Sequence, residues 1–61
     1  MPGFVVMYTT KAGGLVTLDG QYIKYWQTTG LPTFEGDLDT FAETYPSIID
    51  EMVKKKFLER R

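Results

Sequence analysis

Leu15-Val16-Thr17-Leu18-Asp19-Gly20-Gln21-Tyr22-Ile23-Lys24-Tyr25-Trp26 is the stretch that decides how this chain folds. Asp19-Gly20 is the strongest turn signal present, because both residues tolerate the positive φ of a two-residue hairpin turn. Leu15 to Leu18 and Gln21 to Thr28 then read as its two strands. With Asp19-Gly20 as the whole loop, Leu18 faces Gln21 and Val16 faces Ile23. Side chains alternate along a strand. One face therefore shows Val16, Leu18, Ile23 and Tyr25, and the other Leu15, Thr17, Tyr22, Lys24 and Trp26. Both faces carry apolar groups and both need cover. One subunit could cover both; the preferred reading places one face on a helix and part of the other on a second subunit.

Outward from the hairpin, Phe4 to Thr10 is rich in β-branched and aromatic residues and reads as a strand. Lys11-Ala12-Gly13-Gly14 is a turn or a bulge. Thr29 to Gly36 reads as a loop, with Gly30, Pro32 and Gly36 as breakers. A helix follows over about residues 37–45. Asp37 is its N-cap, and Asp39 sits near the positive helix end. Leu38, Phe41, Ala42 and Tyr45 form one apolar stripe, which Pro46 ends. In the last segment Ser47 could cap a helix with Asp50 and Glu51 in its first turn. Ile48, Ile49, Met52, Val53 and Phe57 fit a helical stripe. Ile49, Glu51, Val53 and Phe57 could instead line one side of a strand, although Lys55 breaks that alternation.

Composition narrows the function. The chain has 61 residues and neither Cys nor His. It is one domain at most, near the lower limit of independent stability. Disulfides, thiolate zinc sites and the usual neutral-pH proton shuttle are excluded, which leaves oligomerisation as the stabilising device. Nine aromatics (Phe4, Tyr8, Tyr22, Tyr25, Trp26, Phe34, Phe41, Tyr45 and Phe57) are hard to hide in one small subunit. No apolar run approaches the ~18 residues of a membrane span, and residues 1–4 carry no basic segment ahead of an apolar stretch. A soluble cytosolic protein is expected.

The net charge of -1 conceals a division. From Tyr25 to Val53 there is no Lys or Arg, only Glu35, Asp37, Asp39, Glu43, Asp50 and Glu51. Lys54, Lys55, Lys56, Arg60 and Arg61 then gather at the end against Glu59. Asp37 and Asp39 invite a carboxylate-pair or hard-cation reading, but no other ligands stand at a recognisable spacing and helix capping explains them. Lys24 between Tyr22 and Tyr25-Trp26 is the one basic-aromatic cluster of the kind that stacks nucleic acid. Elsewhere the two residue classes are separate, so nucleic acid is not the expected partner. No catalytic constellation, metal site or cofactor site is legible. The expectation is a binding protein, not an enzyme: an inhibitor or adaptor that binds another protein, with a small nucleic-acid-binding protein as the alternative.

From Asp19 onward the chain resembles the small uracil-DNA glycosylase inhibitors of short-tailed Bacillus phages. The resemblance rests on Asp19-Gly20 before Gln21-Tyr22-Ile23-Lys24-Tyr25, on Gly30-Leu31, on Phe41 and Tyr45 with three residues between, and on Asp50-Glu51-Met52-Val53-Lys54. Phe4 with Tyr8 adds a weaker echo. It covers about two-thirds of the chain, and the ordered set carries it more than any single motif.

The resemblance implies an α+β fold of three antiparallel strands and one helix, completed as a homodimer in the host cytoplasm. It makes the last segment a strand, so a β-β-α-β order is taken ahead of the alternative, a helix over 47–58. It also implies that the dimer blocks the DNA site of the host's uracil-DNA glycosylase and so protects uracil-containing phage DNA. Such an enzyme pushes an apolar side chain into the base stack to flip its target. Phe41 and Tyr45, one helical turn apart, would wall a pocket for that side chain, with Leu38 beside them. Glu35, Asp37, Asp39 and Glu43 would stand where phosphates lie, and Tyr22 and Lys24 complete the candidate contact set. The family has an acidic residue where Lys24 stands, and an ammonium cannot make a carboxylate's contacts.

Overall fold

The computed structural model describes residues 5–60. Their order is β1 (Val5–Thr9), β2 (Leu15–Asp19), β3 (Tyr22–Trp26), β4 (Phe34–Asp37), α1 (Leu38–Thr44) and α2 (Pro46–Lys54). The strands form one antiparallel meander in sequence order, β1-β2-β3-β4. The fold is α+β, but its sheet has four strands and its helices number two among the described residues. The expected β-β-α-β order of three strands and one helix is corrected accordingly. Phe4, the first residue of the expected strand, lies outside the described residues.

Lys11 to Gly14 is a turn and not a bulge. The Thr10 amide donates to the Gly14 carbonyl at 2.7 Å, the Gly13 amide to the Thr10 carbonyl at 2.9 Å, and the Gly14 amide to Thr10 Oγ1 at 2.8 Å. Gly13 supplies the positive φ of 98° that this tight reversal needs. Gly14 is chosen for space: a Cβ there would meet the Trp26 carbonyl oxygen at 2.8 Å and Tyr25 Cε1 at 3.0 Å.

The central hairpin forms where its turn signal stands, with a shifted register. Asp19 pairs with Tyr22, Leu18 with Ile23 and Val16 with Tyr25, so Gly20-Gln21 is the turn, not Asp19-Gly20. Gly20 carries the positive φ of 62°. The shift moves each partner by two residues. Because side chains alternate with period two, the faces come out as expected. Val16, Leu18, Ile23 and Tyr25 are buried, while Leu15, Thr17, Lys24 and Trp26 lie half-buried on the other side.

The segment read as a loop contains a strand. Phe34–Asp37 pairs with β3 through Tyr25↔Phe34, Lys24↔Glu35, Ile23↔Gly36 and Tyr22↔Asp37. The Thr33 amide, bonded to the Tyr25 carbonyl at 2.7 Å, brings the chain onto β3. The chain then turns directly into α1. Asp37 caps it as expected, its carboxylate accepting the Asp39 amide at 2.9 Å.

Pro46 ends α1, and it also starts α2 at the helix's first position, where a missing amide proton costs nothing. The last segment is thus a helix over Pro46–Lys54, and the strand expected there does not form. Ile48, Ile49 and Met52 bury one stripe of it, which a strand's two-residue alternation could not gather on one side. Tyr45 occupies the N-cap position without a side-chain cap, so Ser47 is not the cap. Beyond α2 the Phe57 amide bonds to the Met52 carbonyl at 2.8 Å and the Lys56 amide to the Val53 carbonyl at 3.1 Å. This is a Schellman reversal, with Lys56 at φ 69° in the place usually held by glycine.

Both helices cover one face of the sheet. The core comprises Tyr8, Val16, Leu18, Ile23 and Tyr25 from the strands with Phe41, Ile48, Ile49 and Met52 from the helices.

Candidate partner-binding surface

The expected pocket residues belong to the interior. Phe41 is 0% exposed. Its ring packs edge-on against Tyr25 and Phe34, with centroids 5.7 and 5.2 Å away, and lies 5.0 Å from Tyr45. Tyr45 closes the same cluster at 5.1 Å from Tyr25 and 6.1 Å from Phe34. Edge-to-face pairs at these separations stabilise a core beyond the area they bury. The helical stripe and the inner sheet face thus satisfy each other within one chain. Phe41 presents no surface to a partner here, and Tyr45 only a part of its ring.

Leu38 and Asp39 come together elsewhere. They help line an open groove of about 950 Å³ between the end of the sheet, α1 and the segment after α2. Val6, Leu18, Ala42, Ile49, Val53, Phe57 and Leu58 supply its apolar lining, and Gln21, Glu59 and Arg60 join Asp39 in a polar share of similar size. Glu43 stands one helical turn beyond Asp39, on the same side of α1.

Glu35, Asp37, Asp39 and Glu43 are all exposed and follow the β4-to-α1 edge. Their environments differ. Asp37 is engaged as the cap of α1. Glu35 sits on the outer sheet face with its Oε2 4.0 Å from Lys24 Nζ. Lys24 Nζ also lies 5.8 Å from the centre of the Tyr22 ring. Lys24 therefore has an acidic and an aromatic neighbour of its own on the outer sheet face, and the basic-aromatic cluster seen in the sequence carries a carboxylate beside it.

A polar latch escaped the sequence reading. The Tyr8 hydroxyl donates to Glu51 Oε1 at 2.7 Å, and the Lys11 amide donates to the same oxygen at 2.8 Å. Two donors favour the charged carboxylate and hold the Glu51 pKa below its ordinary value. Its hydrogen bond to Glu51, then its burial and the carboxylate's charge, push the Tyr8 hydroxyl above its own. The Tyr8 ring also meets Phe57 at 5.0 Å. These contacts fasten β1 and its turn to α2. Nothing in local spacing signals a pair 43 residues apart.

Among the described residues no cluster of acidic side chains is arranged to hold a metal ion, and no helix is long and apolar enough to cross a membrane. Comparison of the chain with protein-family models, with curated proteins and with solved structures finds no match.

Proposed function

We propose that this protein is a binding protein that acts as a homodimer and inhibits the host's uracil-DNA glycosylase by occupying its DNA site. The observation that supports this reading best is the groove beside Asp39, whose apolar walls Leu38, Ala42, Val53 and Phe57 share the lining with Gln21, Glu59 and Arg60, and whose Leu38 and Ala42 adjoin the exposed Asp37 and Glu43 in the chain. An enzyme that grips DNA and flips a base offers the complementary pair of features: a basic surface for phosphates and an apolar wedge for the stack. Carboxylates on the inhibitor meet the first, and the groove takes the second.

The groove between Leu38, Ala42, Val53 and Phe57 replaces the Phe41–Tyr45 pair as the seat of the wedge, because Phe41 is enclosed. Burying a Leu-sized side chain contributes roughly 1.5–3 kcal/mol, a hot spot but not a whole tight interface. The acidic edge supplies the remainder and speeds encounter.

The test is uracil excision from single-stranded uracil-containing DNA, with and without the protein. The protein abolishes excision at stoichiometric concentration. Full activity in its presence rejects the proposal. Leu38→Glu, which puts a charge into the half-exposed groove wall, weakens inhibition about tenfold or more.

A further inference from the structure

The outward side of β1 is a row of backbone groups in need of partners. The Thr10 amide bonds to the Gly14 carbonyl, which fixes the phase of the β1–β2 ladder. Along an antiparallel ladder, hydrogen-bonded pairs alternate with non-bonded ones. Tyr8↔Val16 and Val6↔Leu18 are therefore the bonded pairs, and Val5, Met7 and Thr9 turn their amides and carbonyls away from β2. Among the described residues no strand pairs with that side. The opposite edge, β4, is short and carries Glu35 and Asp37, charges of the kind that deter a further strand. β1 has no charge, no proline and no bulge from Val5 to Thr9.

The ends of this edge differ in charge. Glu51 accepts the Lys11 amide just past β1, and the Lys11 and Lys55 ammonium groups both act on its carboxylate. Two cations thus face one carboxylate there, and among the described residues neither is in an ion pair. At the other end the nearby charge is Asp19, across from Val5 on β2. We infer that the β1 edge takes up an extended segment of another protein as an added antiparallel strand, acidic at its N-terminal end and uncharged along its middle. Only extended backbone meets a straight row of alternating amides and carbonyls. An antiparallel strand begins beside Thr9 and Lys11, where the excess cation attracts carboxylates. Its middle lies against Val5 and Met7 on one face and Val6 and Tyr8 on the other, a setting that suits β-branched side chains. A second copy of β1 fits less well. The first acidic residue of the chain is Asp19, so two β1 strands paired antiparallel through Met7 set Gly3, not a carboxylate, opposite Lys11. The inference does not rest on the glycosylase reading, whose carboxylates on β4 stand at the far side of the sheet.

The probe is the peptide acetyl-Glu-Glu-Thr-Val-Thr-Val-Thr-amide, and the readout is amide hydrogen exchange of the isotope-labelled full chain. Millimolar peptide slows exchange at Val5, Met7 and Thr9 about tenfold or more, and leaves Val6 and Tyr8, already bonded to β2, as they were. The same peptide with lysines in place of its glutamates binds more weakly. Unchanged exchange at Val5, Met7 and Thr9 overturns the inference, as does equal binding of the lysine peptide.

The chain without peptide is the second arm. Protection of Val5, Met7 and Thr9 that fades on dilution shows that a second copy holds the edge. Protection at every concentration shows that the chain covers the edge itself. Either result overturns the inference. Met7→Pro removes an outward amide and puts a ring in its place, at an edge position that tolerates proline. With unchanged far-ultraviolet dichroism it no longer binds the peptide, and a folded Met7→Pro chain that binds as the parent does overturns the inference. If Met7→Pro does not fold, the exchange pattern of the parent decides.

Discussion

At the scale of single residues, Tyr8, Glu51 and Gly14 carry more of the structure than their side chains suggest. Glu51 has a lowered pKa in the fold, so it takes up protons in the unfolded chain first. Its stabilisation is complete above the ordinary value of 4.5 and is lost as pH falls through the lower folded value. Tyr8 has the opposite shift. Its contribution is complete below 10.0 and is lost as pH rises through the higher folded value. Glu51→Gln flattens the acid limb of a plot of melting temperature against pH, and Tyr8→Phe flattens the alkaline limb. An unchanged acid limb in Glu51→Gln rules out the latch. Gly14→Ala has no room for its new carbon against the Trp26 carbonyl oxygen, and β3 must shift. It costs about 1–3 kcal/mol, measurable by urea denaturation.

The elements depend on how they end. Asp37 both finishes β4 and caps α1, so one side chain passes the chain from sheet to helix. Asp37→Ala loses about 1 kcal/mol, while Asp37→Ser recovers most of it because a hydroxyl also caps. Recovery by Ser separates capping from any role of the negative charge; if Ser behaves as Ala does, the charge is what counts. At the end of α2, Lys56 holds a left-handed conformation in which an L side chain is strained by about 1–2 kcal/mol. Lys56→Gly relieves that strain, offset in part by the entropy glycine loses on folding. The expected outcome is a small gain in stability, read as a higher urea midpoint. A lower midpoint means that the Lys56 side chain contributes more than its backbone costs.

For the whole molecule the margin is narrow. A chain of 61 residues is stable by about 3–9 kcal/mol in all. Cutting a core aromatic to Ala costs about 3–5 kcal/mol. Phe41 touches Tyr25, Phe34 and Tyr45 at once, so Phe41→Ala loses at least about a third of that margin and its urea midpoint falls steeply. A Phe41→Ala protein with the parent's midpoint shows that this cluster matters less than its burial indicates. Loss of inhibition in that variant therefore reports on folding, and the groove variant Leu38→Glu is the cleaner probe of binding. Residues far apart in sequence share the remaining margin: the Tyr8–Glu51 latch and the Phe57 ring join the first strand to the last helix.

Much of this was legible locally. Alternation at Leu15–Asp19 and Tyr22–Trp26 separated the two faces even though the turn lay one residue later than expected, because a shift of two preserves alternation. The Asp37 cap and the stop at Pro46 could be read because each depends on one residue's own hydrogen-bonding groups. The helical stripe of Ile48, Ile49, Met52 and Val53 was also present in the sequence, and family resemblance drew the reading away from it. Tertiary context decided the rest. Phe34-Glu35-Gly36-Asp37 has weak strand propensity and becomes one by pairing with β3. A stripe holding Leu38, Phe41 and Tyr45 shows which side of a helix is apolar but not what lies against it. The fold set Phe41 and Tyr45 on the aromatic inner face of its own sheet and left Leu38 at a groove. Periodicity is a property of neighbours along the chain, whereas burial depends on which distant segments arrive to exclude water.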